Sequence, residues 1–196
     1  MKNVLIIVDA QNDFCHGKGA LQNEDCCKTV KHILKLVNND NNVIFDKIVC
    51  TMDTHYAYHY LDTTEGRHLP VKHCIEGTWG WKLNESLYQA LYWHSNVSFL
   101  QKSRFAPDSV ELWKHIGITD RNDNVFICGF CTDICVVSTA ITVKSILESE
   151  VYVIEKCCAG STLENHCAAI RTMESCHINI IKDTTTIPKE IFKSKK

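Results

Sequence analysis

No stretch of this chain reaches the roughly 18 uninterrupted apolar residues that a membrane-spanning helix needs, and the apolar part of residues 1–8 is too short for a signal peptide. A membrane partner is therefore not expected, and a cytoplasmic location is. There is no CxxC pair despite twelve cysteines, which removes the zinc-ribbon and thioredoxin-type signatures. Basic clusters are missing apart from the terminal KSKK, and the formal net charge is -2, so nucleic acid is not the expected partner. Internal repeats and low-complexity segments are absent too. What is present is 196 residues with 45% hydrophobic content, enough for one domain with a substantial core. Several cysteines lie inside apolar strand or helix patterns, and Cys26-Cys27 and Cys157-Cys158 are vicinal. Reduced thiols fit this better than a secreted disulfide scaffold, which is usually short and poor in core residues.

Short apolar runs alternate with helical patterns along the chain. Strands are expected over residues 4–8, 43–51 (centred on 47–51), 97–101, 125–128, 151–154 and 178–181. Helices are expected over 24–37, 85–93, 109–116 and 163–175, the last with Ala168, Ala169 and Met173 inward. A further helix, capped by Thr132 or Asp133, carries Ile134, Val137, Ile141 and Ile146 at helical spacing. This alternation predicts a three-layer α/β fold: a six-stranded, mainly parallel, Rossmann-like sheet with right-handed crossovers and helices on both faces. Residues 1–183 are expected to form the domain and residues 184–196 a polar, loose tail. Residues 10–22 read as a glycine-bearing loop, and 61–82 as an ordered functional loop.

Open parallel sheets place their active sites at the C-terminal ends of the strands, and several chemistry-bearing residues fall there. Asp9 ends the first strand, Lys102 the third, and Cys135 follows the fourth across a short polar turn. A cysteine in the first turn of a helix lies near unpaired N–H groups and the positive end of the dipole, which lower a thiol pKa. The alternative is that Cys135 packs as a small hydrophobe, as most cysteines do. Asp53 and His55 share a face if the second strand persists, and His59, His68 and His73 follow in polar sequence. A carboxylate with imidazoles suits zinc, iron or manganese better than calcium. Phe14 reads equally as a lid over the core or as a substrate wall.

Five segments, VDAQNDFC at Asp9, DTH at Asp53, HCIEGTWG at His73, QKSRF at Lys102 and GFCTDICV at Cys135, together resemble the isochorismatase-like cysteine hydrolases, and within them the nicotinamidase (pyrazinamidase) branch. The resemblance implies a catalytic triad of Asp9, Lys102 and Cys135, with Cys135 the nucleophile, Asp9 the proton acceptor and later donor, and Lys102 the supporting cation. It implies a divalent metal, zinc first and then iron or manganese, on Asp53, His55 and His73, and leaves open whether His59 is a fourth ligand. The metal would hold the pyridine nitrogen of a small amide. A cis peptide between Phe130 and Cys131, and an oxyanion hole from the N–H groups of Cys131 and Cys135, are expected on the same basis. Phe14 and Phe105 are the expected ring walls.

The function so implied is deamidation of nicotinamide to nicotinate and ammonia through a thioester, a step in NAD salvage. Alternatives are hydrolysis of another small amide or ureido compound, and a non-enzymatic metal or thiol redox sensor built on Cys131 and Cys135. A homo-oligomer remains open.

Overall fold

The computed structural model describes residues 2–38, 45–118, 122–183 and 187. Its strands are β1 (Asn3–Val8), β2 (Lys47–Asp53), β3 (Val97–Lys102), β4 (Asn124–Phe130), β5 (Glu150–Ala159) and β6 (Asn179–Ile181). The helices are α1 (Asn12–Cys15), α2 (Glu24–Val37), α3 (Thr64–His68), α4 (Glu85–Tyr92), α5 (Ser109–Ile116), α6 (Val137–Ile146) and α7 (Leu163–Ser175). All strand pairs are parallel, in the order β3-β2-β1-β4-β5-β6. That is the doubly wound arrangement, whose strand order reverses between β1 and β4, and the crevice beyond their carboxyl ends is where such folds bind ligands.

β1 (NVLIIV) and β4 (NVFICGF) are buried at every residue, as central strands covered on both faces must be. Amphipathic α2 turns Val30, Ile33 and Val37 inward, and its N-cap Asn23 accepts from the Asp25 and Cys26 N–H groups. α2 packs with α4, while α5, α6 and α7 pack in succession; right-handed crossovers place the two sets on opposite faces of the sheet. Gly129 has φ +124, and a Cβ there would lie 2.1 Å from the Val8 carbonyl oxygen. Only glycine lets β1 and β4 approach this closely, just before both strands release their site residues.

Several local expectations are corrected. Residues 12–15, read as loop, form the short helix α1, and the 61–82 stretch holds α3 and a 3₁₀ turn at Tyr60–Asp62. Neither Thr132 nor Asp133 caps the helix after β4. Its first turn, Thr132–Val136, is π-helical; the Thr132 hydroxyl pairs instead with His166 Nδ1 at 2.8 Å, and Asp133 accepts from the Ser161 N–H at 2.7 Å. In α6 the buried side is Thr139, Ala140 and Val143, with Val137, Ile141 and Ile146 only partly covered. Ile170 rather than Ala168 joins Ala169 and Met173 on the inner side of α7. Residues 43–44 and the tail, apart from Ile187, lie outside the described residues.

Candidate active site

β1 ends in Asp9, whose φ of +49 is the left-handed region that aspartate tolerates better than most residues. Its carboxylate accepts from the Thr51 hydroxyl at 2.6 Å and faces the Lys102 ammonium at 2.7 Å, both inside the protein. Lys102, the last residue of β3, also donates to the Arg104 carbonyl at 3.0 Å and reaches Cys135 Sγ at 3.6 Å. Its side chain is 1% exposed, a charge tolerable at that depth only because carboxylates surround it. Three residues far apart in sequence thus meet at the ends of β1, β3 and β4. The peptide bond between Phe130 and Cys131 is cis. The Cys131 carbonyl accepts from the N–H groups of Ile134 and Val136, the neighbours of Cys135, and the Cys135 N–H is not among its donors.

Burial pushes the Cys135 thiol well above the ordinary cysteine range; Lys102 opposes this, while Asp9 and Asp53 reinforce it. That reverses the lowered value expected from the helix start, because desolvation of a nearly enclosed sulfur outweighs the first-turn field. Burial also raises the Asp9 carboxyl, with Lys102 opposing and Asp53 adding. For Lys102 burial favours the neutral amine, but Asp9, Cys135 and Asp53 outweigh it and keep the ammonium charged. Burial and the neighbouring carboxylates thus favour the thiol of Cys135, while the Lys102 ammonium beside it is kept charged.

Next to it, Asp53, His55, Glu65 and His73 offer four ligand atoms within 4.8 Å of one another. Asp53 Oδ2 lies 3.0 Å from His55 Nε2 and 3.4 Å from His73 Nε2; Glu65 lies 3.4 Å from His73 Nε2 and 3.8 Å from His55 Nε2. The His73 Nδ1–H donates to the Val71 carbonyl at 2.9 Å, which turns Nε2 toward the cluster. Burial would raise the Asp53 carboxyl, but hydrogen bonds from His55 and His73 and the Lys102 charge hold it well below the usual range. Burial would lower His73, yet its hydrogen bonds to Asp53 and Glu65 prevail and raise it to about 10. Two imidazoles and two carboxylates, nearly enclosed, fit a divalent transition ion, which would displace that proton.

Glu65 is the residue that sequence reasoning missed. His59, left open as a fourth ligand, is not in this set: its side chain is 59% exposed and its Nδ1 lies 3.9 Å from Asp62. The signal available was Thr63, an N-cap whose hydroxyl accepts from the Gly66 N–H, which starts a helix with Glu65 in its first turn. Cys135, Asp53, His55 and His73 all line one cavity of about 1630 Å³. Phe14 lies in its wall, edge-on to His73 at 5.7 Å, and half-exposed Phe105 lines it as well.

An isochorismatase domain matches residues 3–185. The chain belongs to the isochorismatase family. A nicotinamidase from Schizosaccharomyces pombe is 27% identical over 222 residues, covering 96% of this chain and 97% of that protein. Among solved structures, the nicotinamidase/pyrazinamidase PncA from Bacillus subtilis superposes with a TM-score of 0.76 at 26% identity, over 93% of this chain and all of that one. The pyrazinamidase of Pyrococcus horikoshii, solved in complex with zinc, shares the fold with a TM-score of 0.69 at 24% identity, over 92% of this chain and 99% of that one. Within the family, the chain is similar to these nicotinamidases over nearly its whole length.

Proposed function

We propose that the protein deamidates nicotinamide to nicotinate and ammonia through a thioester on Cys135. It is a hydrolase acting on amides, and the observation that supports the finer reading is that Cys135, held against Lys102 and through it against Asp9, lines the same cavity as a four-donor ligand set.

An amide carbon is a poor electrophile, so hydrolysis needs a strong nucleophile, a donor for the leaving nitrogen and stabilisation of the oxyanion. In this reading Asp9 takes the Cys135 proton as sulfur attacks the carbonyl carbon, and Lys102 holds Asp9 in place and balances the thiolate charge. The N–H groups of Cys131 and Cys135 receive the oxyanion. As the C–N bond breaks, Asp9 returns its proton to the departing ammonia; it then deprotonates a water that attacks the thioester, releasing nicotinate and restoring the Cys135 thiol. A raised Asp9 carboxyl suits both roles, since an acid–base catalyst works best with a pKa near the operating pH.

Asp53, His55, Glu65 and His73 would hold the divalent ion, zinc first and iron or manganese next, and the ion would supply Lewis-acid binding for the pyridine nitrogen. Phe14 and Phe105 would flank the ring. The reaction returns nicotinamide to pyridine nucleotide biosynthesis.

Ammonia release from nicotinamide, pyrazinamide and benzamide tests the reading. Nicotinamide and pyrazinamide should turn over, and benzamide, which has no ring nitrogen, should react poorly. Equal turnover of benzamide and nicotinamide would remove ring-nitrogen recognition. Turnover of a ureido or aliphatic amide alone would move the protein to another branch of substrate.

A further inference from the structure

The motif that supplies Asp9 continues with three polar residues that the proposed reaction leaves unused: Gln11, Asn12 and Asp13. All three are buried, and unpaired polar groups at that depth are costly. Each is spent on the backbone of a different segment. The Gln11 side chain clamps Asp53 from both sides, its Nε2 donating to the Asp53 carbonyl and its Oε1 accepting from the Asp53 N–H, each at 2.8 Å. The same Nε2 also donates to the Trp81 carbonyl at 2.8 Å. Asn12 Nδ2 donates to the Trp79 carbonyl at 2.9 Å. Asp13 accepts from the Cys74 N–H on one oxygen at 2.7 Å and from the Ala20 N–H on the other at 2.9 Å.

These bonds converge on the ligand set. Cys74, directly after His73, has φ +45, a conformation disfavoured for a cysteine and held here by the Asp13 carboxylate. From Cys74 the chain pairs with His55: the His55 N–H donates to the Cys74 carbonyl at 3.0 Å and the Glu76 N–H to the His55 carbonyl at 2.9 Å. Gln11 thus fixes the main chain of Asp53, and Asp13 that of His73 and, through Cys74, of His55. The fit around Asp13 is tight, since a Cβ on Gly80 would lie 2.2 Å from its carboxylate.

We propose that Gln11 and Asp13 are positioning residues for the metal set, so that the segment carrying the acid–base residue Asp9 also sets the geometry of Asp53, His55 and His73. The inference rests on the reading of that set as a metal site. It makes a prediction distinct from general stability: loosening Asp13, which shares no hydrogen bond with Asp53, Lys102 or Cys135, costs metal affinity while the nucleophile's surroundings stay intact.

The test is a zinc titration of chelator-stripped protein against a chromogenic competitor, on wild type, Gln11→Glu, Asp13→Asn and the core control Ile33→Val. Gln11→Glu sets a carboxylate oxygen against the Asp53 and Trp81 carbonyls, and Asp13→Asn sets an amide N–H against one backbone N–H. Both should weaken zinc binding about 10- to 100-fold, the cost usual for losing an outer partner of a metal ligand, while Ile33→Val should not. The rate of Cys135 alkylation by iodoacetamide in stripped Asp13→Asn should stay within about two-fold of wild type, whereas Gln11→Glu, which adds a carboxylate beside Asp53, is read by zinc affinity alone. Unchanged zinc affinity in a folded variant overturns the inference, and so does an alkylation rate of Asp13→Asn that changes in step with affinity. If Asp13→Asn does not fold, Gln11→Glu decides alone. Wild-type protein that binds no zinc, manganese or iron overturns the metal site itself, and with it the inference.

Discussion

Asp53 Oδ1 lies 3.6 Å from the Lys102 ammonium, and through this contact the ligand set and the Asp9–Lys102–Cys135 cluster share one carboxylate. The other oxygen of Asp53 faces His55 and His73. A single negative charge thus acts on both halves of the site.

Asp53→Asn separates the two effects. The Asp53 charge helps to raise the Cys135 thiol, so its removal should lower that pKa and shift the pH–rate profile of Cys135 alkylation toward lower pH in metal-free protein. The same variant should bind metal at least tenfold more weakly. An alkylation profile that stays put would mean that Asp53 does not act on the sulfur.

Cys135→Ala removes one buried sulfur and should cost about 1 kcal/mol of stability, in the range of a single-group core deletion. Turnover of nicotinamide should vanish, with the far-ultraviolet circular dichroism unchanged. More than trace amidase activity in the folded variant would exclude covalent catalysis at this residue.

Lys102→Met keeps the length of the side chain but leaves Asp9 facing an apolar group. Breaking a buried pair in this way typically costs about 3–5 kcal/mol. The sign with pH follows from Asp9: its carboxyl is raised in the folded state, so its contribution is present at low pH and lost as pH rises through the folded value. Without the ammonium that rise is larger. Urea unfolding compared at pH 8 and pH 5 should show the larger deficit at the higher pH, because a protonated Asp9 no longer lacks its charged partner. Asp53 remains ionised over this range, held low chiefly by His55 and His73. A deficit independent of pH would place the loss in packing rather than charge.

Glu65→Ala and His59→Ala discriminate between the two residues that compete for the fourth ligand position. Glu65→Ala should weaken zinc binding by at least tenfold, whereas His59→Ala should leave it within about two-fold. Competition titration reads both, and the reverse order would return His59 to the site.

Asp9, Lys102 and Cys135 were legible in the sequence because a buried strand shows as an unbroken apolar run, and the first polar or reactive residue beyond it marks the sheet's carboxyl edge. β1 and β4 are such runs. Asp53 and His55 were legible for a similar reason, lying at and just past a strand end. Glu65 was not, because α3 is only five residues long, too short for an apolar period, and His59 stood nearer in sequence to the DTH pair. The direction of the Cys135 shift was misjudged because helix position is a local property, while desolvation depends on what the rest of the chain packs over the sulfur. The Gln11 and Asp13 bonds span 42 and 61 residues, and no local pattern reports contacts of that separation.

The pairing of β1 with β4 joins Asn3 to Asn124, a separation of 121 residues, and it brings Asp9 beside the Cys135 turn. Contacts so distant along the chain close late and slowly during folding, because the entropy of the long intervening loop is lost before the pairing compensates it. Enzymatic activity should therefore lag helix formation when the denatured chain is returned to native conditions, and amide turnover becomes a readout of when the centre of the sheet has closed.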